Sequence, residues 1–227
     1  MDWSEPEEWI PRRLDGDEAA LAMDIAAALN EELQQAAYLV FDLIFEQDLG
    51  LAEILTSTIG YVGPNMAPLY GVPSPGAEFA EVDLGPDRPG FFTHLPFLVL
   101  NAVNLTPDSI HRGKAINSEV LCGEIPPPPD GNVTLTPAVE GQTNRERVTA
   151  TSGPGTCGQS CHAPYINPLG FAFENYDGLG RLRDTDNGHP VDTTSAYPFT
   201  EGRREFSGAS QLMQIMTEGE QAHACYA

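Results

Sequence analysis

The stretch that decides the fold of this chain covers residues 157–183 and reads CGQSCHAPYINPLGFAFENYDGLGRLR. It begins with two cysteines, Cys157 and Cys161, and His162 directly follows the second one. This order is typical of covalent c-type haem attachment, in which each thiol forms a thioether with one haem vinyl group and the histidine ligates the iron. The motif therefore predicts haem c held by Cys157, Cys161 and His162.

The spacing of the two cysteines differs from the usual Cys-x-x-Cys-His pattern, because three residues separate them here. We expect the extra residue to bulge out at Gly158 or Ser160. From these residues alone a second hypothesis stays open, namely a non-haem binding or scaffold module with a local Cys157–Cys161 disulfide. A zinc site is less well supported, because no second Cys or His pair completes a tetrahedron.

The residues after His162 carry a resemblance to a known family. The chain resembles the planctomycete-type cytochrome c domain in three short motifs: Asn167-Pro168-Leu169-Gly170-Phe171, Glu174-Asn175-Tyr176-Asp177 and Gly180-Arg181. Two upstream segments match the approach to that domain, His111–Lys114 and the proline run Pro126–Pro129. Residues 24–105 resemble the helical domain that precedes it, and residues 206–227 resemble the start of the domain that follows it.

The resemblance implies a fold, a cofactor and a location. It implies a mainly α fold with long irregular loops, in which a cytochrome c-like haem segment follows an N-terminal helical region. It also implies a piece of a larger exported protein, periplasmic or extracellular, whose signal peptide lies upstream of Met1. The members have no firmly assigned reaction, so we expect an electron-transfer module rather than a stand-alone enzyme. Pro168 and Leu169 are expected beside the haem, with the carbonyl of Pro168 or of a neighbouring residue accepting a hydrogen bond from His162.

The domain organisation is predicted from the proline run and the resemblance. We expect the end of a helical domain at 1–125, a Pro-rich and polar linker at 126–156, the haem domain at 157–205, and a truncated helical domain at 206–227. Periodic apolar residues predict a long helix over 18–47 that packs a core. Those apolar residues are Leu21, Ile25, Leu29, Leu33, Tyr38, Phe41 and Phe45. Further helices are expected over 51–57, from Thr106 to about Cys122, and after Ser207.

The sixth iron ligand is open in the sequence. Met213 and Met216 lie downstream of the attachment motif, although they also continue an apolar stripe that suits core packing. His189 is a third candidate, in a segment that resembles an exposed turn. A strong sixth ligand would favour electron transfer, whereas an open position would favour an oxidase or peroxidase.

Two more cysteines, Cys122 and Cys225, lie outside the motif. Chains that resemble this one often carry cysteines at both places, so the resemblance implies a Cys122–Cys225 disulfide. The alternative is two buried free thiols.

The composition limits the possible partners. The chain has 227 residues with 33 Asp and Glu against 11 Lys and Arg, which gives a formal net charge of −22. Nucleic acids and anionic membranes bind to positively charged surfaces, so the charge of the chain argues against both as partners. We expect a basic redox partner and the flanking domains of the same protein instead. No apolar stretch is long enough to cross a bilayer, and the first residues do not have the order of a signal peptide.

Overall fold

The computed structural model of the chain describes residues 16–103, 106–127 and 139–227. The predicted linker, including part of the proline run, lies partly outside these ranges. The chain forms two compact units. The first unit contains Met1–Thr106 with Gly178–Arg181, and the second contains Pro107–Asp177 with Leu182–Ala227. The predicted boundaries at residues 126 and 206 both fall inside the second unit.

The first unit is built on one long helix with short elements around it. Its core consists of apolar side chains from α1 (Gly16–Glu46), β1 (Ile59–Val62), the start of α3 (Ala67–Tyr70) and α4 (Leu95–Leu100), with Leu33, Val62, Met66 and Leu95 almost fully buried. The strands β1 and β2 pair antiparallel, with Ile59 opposite Asp83. The elements are α1 (Gly16–Glu46), α2 (Leu51–Thr56), β1 (Ile59–Val62), α3 (Ala67–Tyr70), β2 (Ala80–Asp83), a 3₁₀ turn (Phe91–Thr93), α4 (Leu95–Leu100), β3 (Ala102–Val103) and the start of β4 (Thr106–Pro107).

The face that α1 buries differs from the face predicted. The helix is present, but its buried stripe runs through Leu29, Leu33, Ala36, Val40 and Ile44. The predicted stripe continued through three aromatic residues, which lie on the exposed side instead. Ala36 packs into the core in their place because its small side chain lets β1 and α3 come close.

A buried carboxylate also fixes α1 to the rest of the first unit. Glu32 accepts hydrogen bonds from the backbone N–H groups of Asn65, at 2.9 Å, and Met66, at 3.1 Å. These two N–H groups lie at the start of α3, where a negative charge is favourable.

The second unit contains the segment quoted at the outset. Asp108, rather than the predicted Thr106, caps α5 and accepts the N–H of His111. Thr106 is not available as a cap because it lies in β4. The elements are α5 (Ser109–Ala115), a π-helical turn (Ile116–Val120), α6 (Asn144–Ser152), a 3₁₀ turn (Cys157–Ser160), a π-helical turn (His162–Ile166), α7 (Asn167–Phe171), β5 (Thr185–Asp186), β6 (His189–Pro190), β7 (Thr194–Phe199), β8 (Gly202–Ser207), α8 (Gly208–Glu218) and α9 (Glu220–Cys225).

The fold is mixed rather than mainly α, which corrects the predicted class. Helices of all kinds take up about half of the chain, and every sheet in the described residues has two strands. The largest sheet is the β7–β8 hairpin, in which Thr194 lies opposite Ser207 and Phe199 opposite Gly202. This hairpin contributes three buried aromatic side chains to the core, those of Tyr197, Phe199 and Phe206.

Two glycines let α5 and α7 cross with their backbones in contact. A Cβ atom on Gly170 would lie 2.6 Å from the carbonyl carbon of Ser109 and closer still to its oxygen. A Cβ atom on Gly113 would lie 2.8 Å from the backbone nitrogen of Gly170. Real carbon atoms keep about 3.5 Å or more between them, so only glycine fits at either position. The crossing places α5 directly behind the segment that follows His162.

The structure joins Cys122 and Cys225, the pair that the resemblance implied, in a disulfide whose Cα atoms are 5.5 Å apart. The bridge spans 103 residues of sequence and links the end of the first π-helical turn to α9. Among the described residues, no helix has both the length and the apolar character that crossing a membrane requires.

Candidate functional site

The attachment motif lies where a 3₁₀ turn meets a π-helical turn. Thr156 caps the first turn by accepting the N–H of Gly158 at 3.1 Å. Cys161 separates the two turns, and its backbone angles of φ −122° and ψ −57° lie outside the helical region. The extra residue between the cysteines is thus accommodated by a break in the helix at Cys161.

Gly158 does not provide the flexible bulge that the sequence suggested. A Cβ atom at this position would lie 2.9 Å from the carbonyl carbon of Ser152. Gly158 is therefore needed because the turn packs directly against the C-terminal end of α6. Ser152 in turn accepts a hydrogen bond at 3.1 Å from the side-chain amide of Asn167, so α6, the motif and α7 are held together.

The two thiols of the motif differ in accessibility. Cys157 is exposed, whereas Cys161 is 4% exposed. Both are free in the structure, with no bond between them. The arrangement leaves two thiols four residues apart, one at the surface and one just beneath it.

His162 is half-buried and carries an unsatisfied nitrogen. Burial lowers the pKa of its imidazole, partly offset by the nearby Asn167 side chain. The ring is therefore neutral at neutral pH, which is the form that binds metals. Within the described residues its Nδ1 atom is buried and has no hydrogen-bond partner. Neither the carbonyl of Pro168 nor a neighbouring one accepts a hydrogen bond from this nitrogen.

The two other predicted cofactor-binding residues lie in α7. Pro168 occupies the first turn of the helix, where its missing N–H is harmless, and it is partly exposed. Leu169 is fully buried. Both directly follow the π-helical turn that starts at His162.

The candidate sixth ligands have different environments. Met213 and Met216 are buried in α8 with Leu212, as in ordinary core packing. His189 lies in β6 and is exposed. In the part of the chain that the structure describes, three or more His, Cys, Asp or Glu side chains nowhere gather in a way that could hold a metal ion. The sixth ligand stays a prediction.

A buried acid behind α7 organises the second unit. Glu174 accepts hydrogen bonds from the hydroxyl of Ser109 and, at 2.8 Å, from the side-chain amide of Asn144. Its other oxygen pairs with Arg183 at 3.0 Å. Burial raises the pKa of Glu174, although these hydrogen bonds and the charge of Arg183 act in the opposite direction. Arg183 is the residue that pairs with Glu174 in the structure, whereas Arg181 is exposed.

Arg112 fixes the turn that follows α7. This almost fully buried side chain donates hydrogen bonds to the backbone carbonyls of Phe173 at 3.2 Å, Tyr176 at 3.0 Å and Asp177 at 2.9 Å. Burial lowers the pKa of Arg112 to about 10, so the guanidinium is charged at neutral pH. In the sequence, Arg112 was marked only by its place in the upstream match at residues 111–114. Its hydrogen-bond partners lie more than 60 residues away, so no local pattern identifies it.

Comparison with known proteins gives one match. The model of a family described as PSCyt3, a protein of unknown function (DUF1588), matches residues 88–186, somewhat less than half of the chain. This range contains the attachment motif, Arg112 and Glu174, but not the predicted sixth ligands His189, Met213 and Met216. The family name indicates a cytochrome-like domain, which supports the resemblance in this coarse form. No curated protein and no solved structure matches the chain.

Proposed function

We propose that the second unit binds haem c covalently through Cys157 and Cys161, with His162 as the proximal iron ligand. In this proposal the chain is an electron-transfer module of a larger exported protein. The support is the motif itself, the cytochrome-like name of the family that matches residues 88–186, and the state of the three side chains.

The observation that carries the proposal is the donor set at residues 157–162. A histidine whose imidazole is neutral at neutral pH directly follows two free thiols, which is the donor set that haem c requires. The residues present therefore fit this group. When bound, haem supplies reversible one-electron exchange at its iron.

The protein's own part in attachment follows from the accessibility of the thiols. Each cysteine adds its sulfur and its proton across one vinyl double bond, so a thioether forms and no oxidant is needed. The exposed Cys157 can react in the folded chain, but the buried Cys161 requires the turn over 157–161 to open. Attachment at Cys161 would thus have to precede full packing of this turn. Pro168 and Leu169 would supply apolar surface beside the group.

The location and partner belong to the same proposal. Cytochromes of the c type are assembled in oxidising compartments, where a Cys122–Cys225 disulfide also persists. With a net charge of −22, a basic redox partner would associate at a rate that falls as salt rises. A ligand such as Met213, Met216 or His189 in the sixth position would keep the module to electron transfer. An open sixth position would allow oxidase or peroxidase chemistry.

The test is expression of the chain in the periplasm together with haem-maturation machinery. We expect the intact mass to include one haem and the pyridine haemochrome spectrum to show two thioether links. Cys157→Ala and Cys161→Ala should each leave at most one link, whereas the exposed neighbour Ser160→Ala should load normally. His162→Gln should shift the Soret band.

Two results would contradict the proposal. Absence of any covalent adduct, with a Cys157–Cys161 disulfide found by peptide mapping, would favour the non-haem scaffold. An adduct whose spectrum is unchanged by His162→Gln would show that another residue is the proximal ligand.

A further inference from the structure

The exposed face of α1 carries a stripe of large apolar side chains. The aromatic stripe, as we name it, consists of Tyr38, Phe41 and Phe45 on the helix and Leu49 just after its end. These residues are 67%, 43%, 85% and 37% exposed. Their spacing of three and four residues places the three aromatic rings on one side of the helix, opposite the buried stripe. Half of the large apolar side chains that are exposed in the described residues lie here.

This concentration is unusual for a solvent-facing surface. Single exposed apolar side chains are common, but a continuous patch rimmed by polar groups marks an interaction site. Among the described residues of the unit, Phe41 alone of the three aromatic side chains has an aromatic neighbour, since its ring centre lies 4.8 Å from that of Phe91. Phe45, at 85% exposure, gains almost nothing from the fold and is available to a partner.

Carboxylates gather along one edge of the aromatic stripe. On α1, Asp42 lies four residues after Tyr38 and three before Phe45, and Glu46 lies four residues after Asp42, so the helical period places both carboxylates beside the aromatic rings. Burial together with the charges of Glu81, Glu46 and Asp42 raises the pKa of Tyr61. Tyr61 also donates a hydrogen bond to Glu81 at 3.4 Å. The described part of the first unit has only two Lys or Arg side chains, Arg88, which is buried, and Arg181. The rim of the stripe is thus strongly negative.

We propose that the aromatic stripe is a docking surface for a cationic amphipathic segment of a partner protein. Apolar side chains of the segment pack on Tyr38, Phe41 and Phe45, while its lysines or arginines lie beside Asp42, Glu46 and Glu81. A second copy of this chain is a poor occupant, because it would bring the same carboxylates and another 22 negative charges. The surface lies in the first unit, and the proposal does not rest on haem binding.

The experiment uses the full chain and a fluorescently labelled synthetic peptide. The peptide is an amphipathic helix with leucines on one face and lysines on the other, and binding is followed by fluorescence anisotropy. One comparison peptide has glutamates in place of lysines, and another has serines in place of leucines. We expect only the Leu/Lys peptide to bind, with an affinity that falls at least about tenfold between about 50 and 300 mM salt.

Substitutions locate the binding surface. Phe45→Ser and Tyr38→Ser should each weaken binding about fivefold or more, which is the usual effect of removing an interface anchor. Leu182→Ser removes an apolar side chain of similar exposure elsewhere and should change the affinity less than twofold. The double variant Asp42→Asn, Glu46→Gln should weaken binding and reduce its salt dependence, whereas Glu124→Gln, also exposed, should do neither.

Two outcomes would overturn the proposal. The first is Leu/Lys peptide binding that neither Phe45→Ser nor Tyr38→Ser alters by more than twofold, which would show attraction to the overall charge alone. The second is a dimer in sedimentation that Phe45→Ser dissociates, which would assign the stripe to a second copy. Both substituted side chains are largely exposed, and unchanged circular dichroism checks that the variants fold.

Discussion

The crossing of α5 and α7 can be tested by adding one methyl group. In Gly170→Ala the new Cβ atom would meet the carbonyl carbon of Ser109 at 2.6 Å. About 3.5 Å is the ordinary limit for two carbon atoms, so the helices must separate by about 1 Å. Sliding does not relieve the clash, because Gly113 holds the same crossing one turn further along α5.

The expected loss of stability follows from two opposing effects. Overpacking against a well-packed backbone costs about 1–3 kcal/mol, and more where backbone must move. Alanine in a helix recovers about 1 kcal/mol relative to glycine. Separation of the helices also pulls the Ser109 hydroxyl away from Glu174, which removes a buried hydrogen bond worth about 1.5–3 kcal/mol because its acceptor is charged. The net loss is about 1.5–5 kcal/mol in the second unit.

Hydrogen exchange measured by mass spectrometry reports this loss locally, without assuming that the two units unfold together. We expect peptides covering 109–115 and 167–171 to exchange about 10- to 4,000-fold faster in Gly170→Ala, since 1.4 kcal/mol corresponds to a factor of ten. Lys114→Ala, at an exposed site of α5, is the control and should stay within about threefold. A Gly170→Ala variant that also stays within threefold would refute the argument from close packing.

Three further predictions concern covalent and titrating groups. Replacing both Cys122 and Cys225 by serine should lower the free energy of unfolding by about 4–5 kcal/mol, because the bridge closes a loop of 103 residues; a loss below about 1 kcal/mol in urea denaturation would contradict this. Burial raises the pKa of Glu174 above its ordinary 4.5, so the folded state holds this proton more tightly than the unfolded state does. The stability contributed by the proton is complete below about pH 4.5 and is lost as the pH rises through the folded pKa. The unfolding free energy of the wild type should therefore fall relative to that of Glu174→Gln as the pH rises through this range. A difference between the two proteins that stays constant with pH in urea denaturation would argue against the raised pKa of Glu174. Burial and the charge of Arg88 lower the pKa of His94 to about 4, so its stabilising effect is present above pH 6.5 and lost as the pH falls towards 4. NMR should show no titration of His94 between pH 8 and 5, and a midpoint near 6.5 would contradict its burial.

The bounds of a helix can be predicted from the sequence where apolar residues recur with the helical period. The spacing in residues 18–47 predicts α1 within two residues at its start and one at its end. The same spacing did not identify the buried face, because Ala36, Val40 and Ile44 share the 3.6-residue period of the aromatic stripe. Large aromatic side chains dominate a hydrophobicity pattern, whereas burial depends on which side chains fit against distant elements.

The β7–β8 hairpin shows a different kind of error. Residues 194–207 have buried aromatics at Tyr197, Phe199 and Phe206 and a turn that contains Gly202, which are hairpin signals. Pro198 and the adjacent Arg203 and Arg204 obscured them, since neither proline nor paired charges are typical of strands. Both kinds of residue are tolerated because a two-stranded sheet consists only of edges.

In the candidate site, the sequence alone identifies the two cysteines and the histidine of the motif, but not the residues that hold this part of the fold in place. The order Cys157, Cys161, His162 is contiguous and needs no structure to be recognised. Asn144 reaches Glu174 across 30 residues, and Gly158 packs on Ser152 through a contact between backbones. Neither relation leaves a periodic signal in a single sequence, so tertiary structure is needed to find them.

The order of the four cysteines along the chain has a consequence for how the protein is made. Cys122, Cys157 and Cys161 leave the ribosome before Cys225, so the partner of Cys122 in the structure is the last of the four to appear. An oxidant acting early meets three thiols whose every possible pairing is non-native. A pairing of Cys122 with Cys157 or Cys161 must be undone by thiol exchange before the native bridge can form, and a Cys157–Cys161 pairing would block both thiols of the motif. Productive synthesis therefore depends on timing: oxidation has to wait for α9, and a cell that oxidises this chain too quickly should accumulate scrambled isomers.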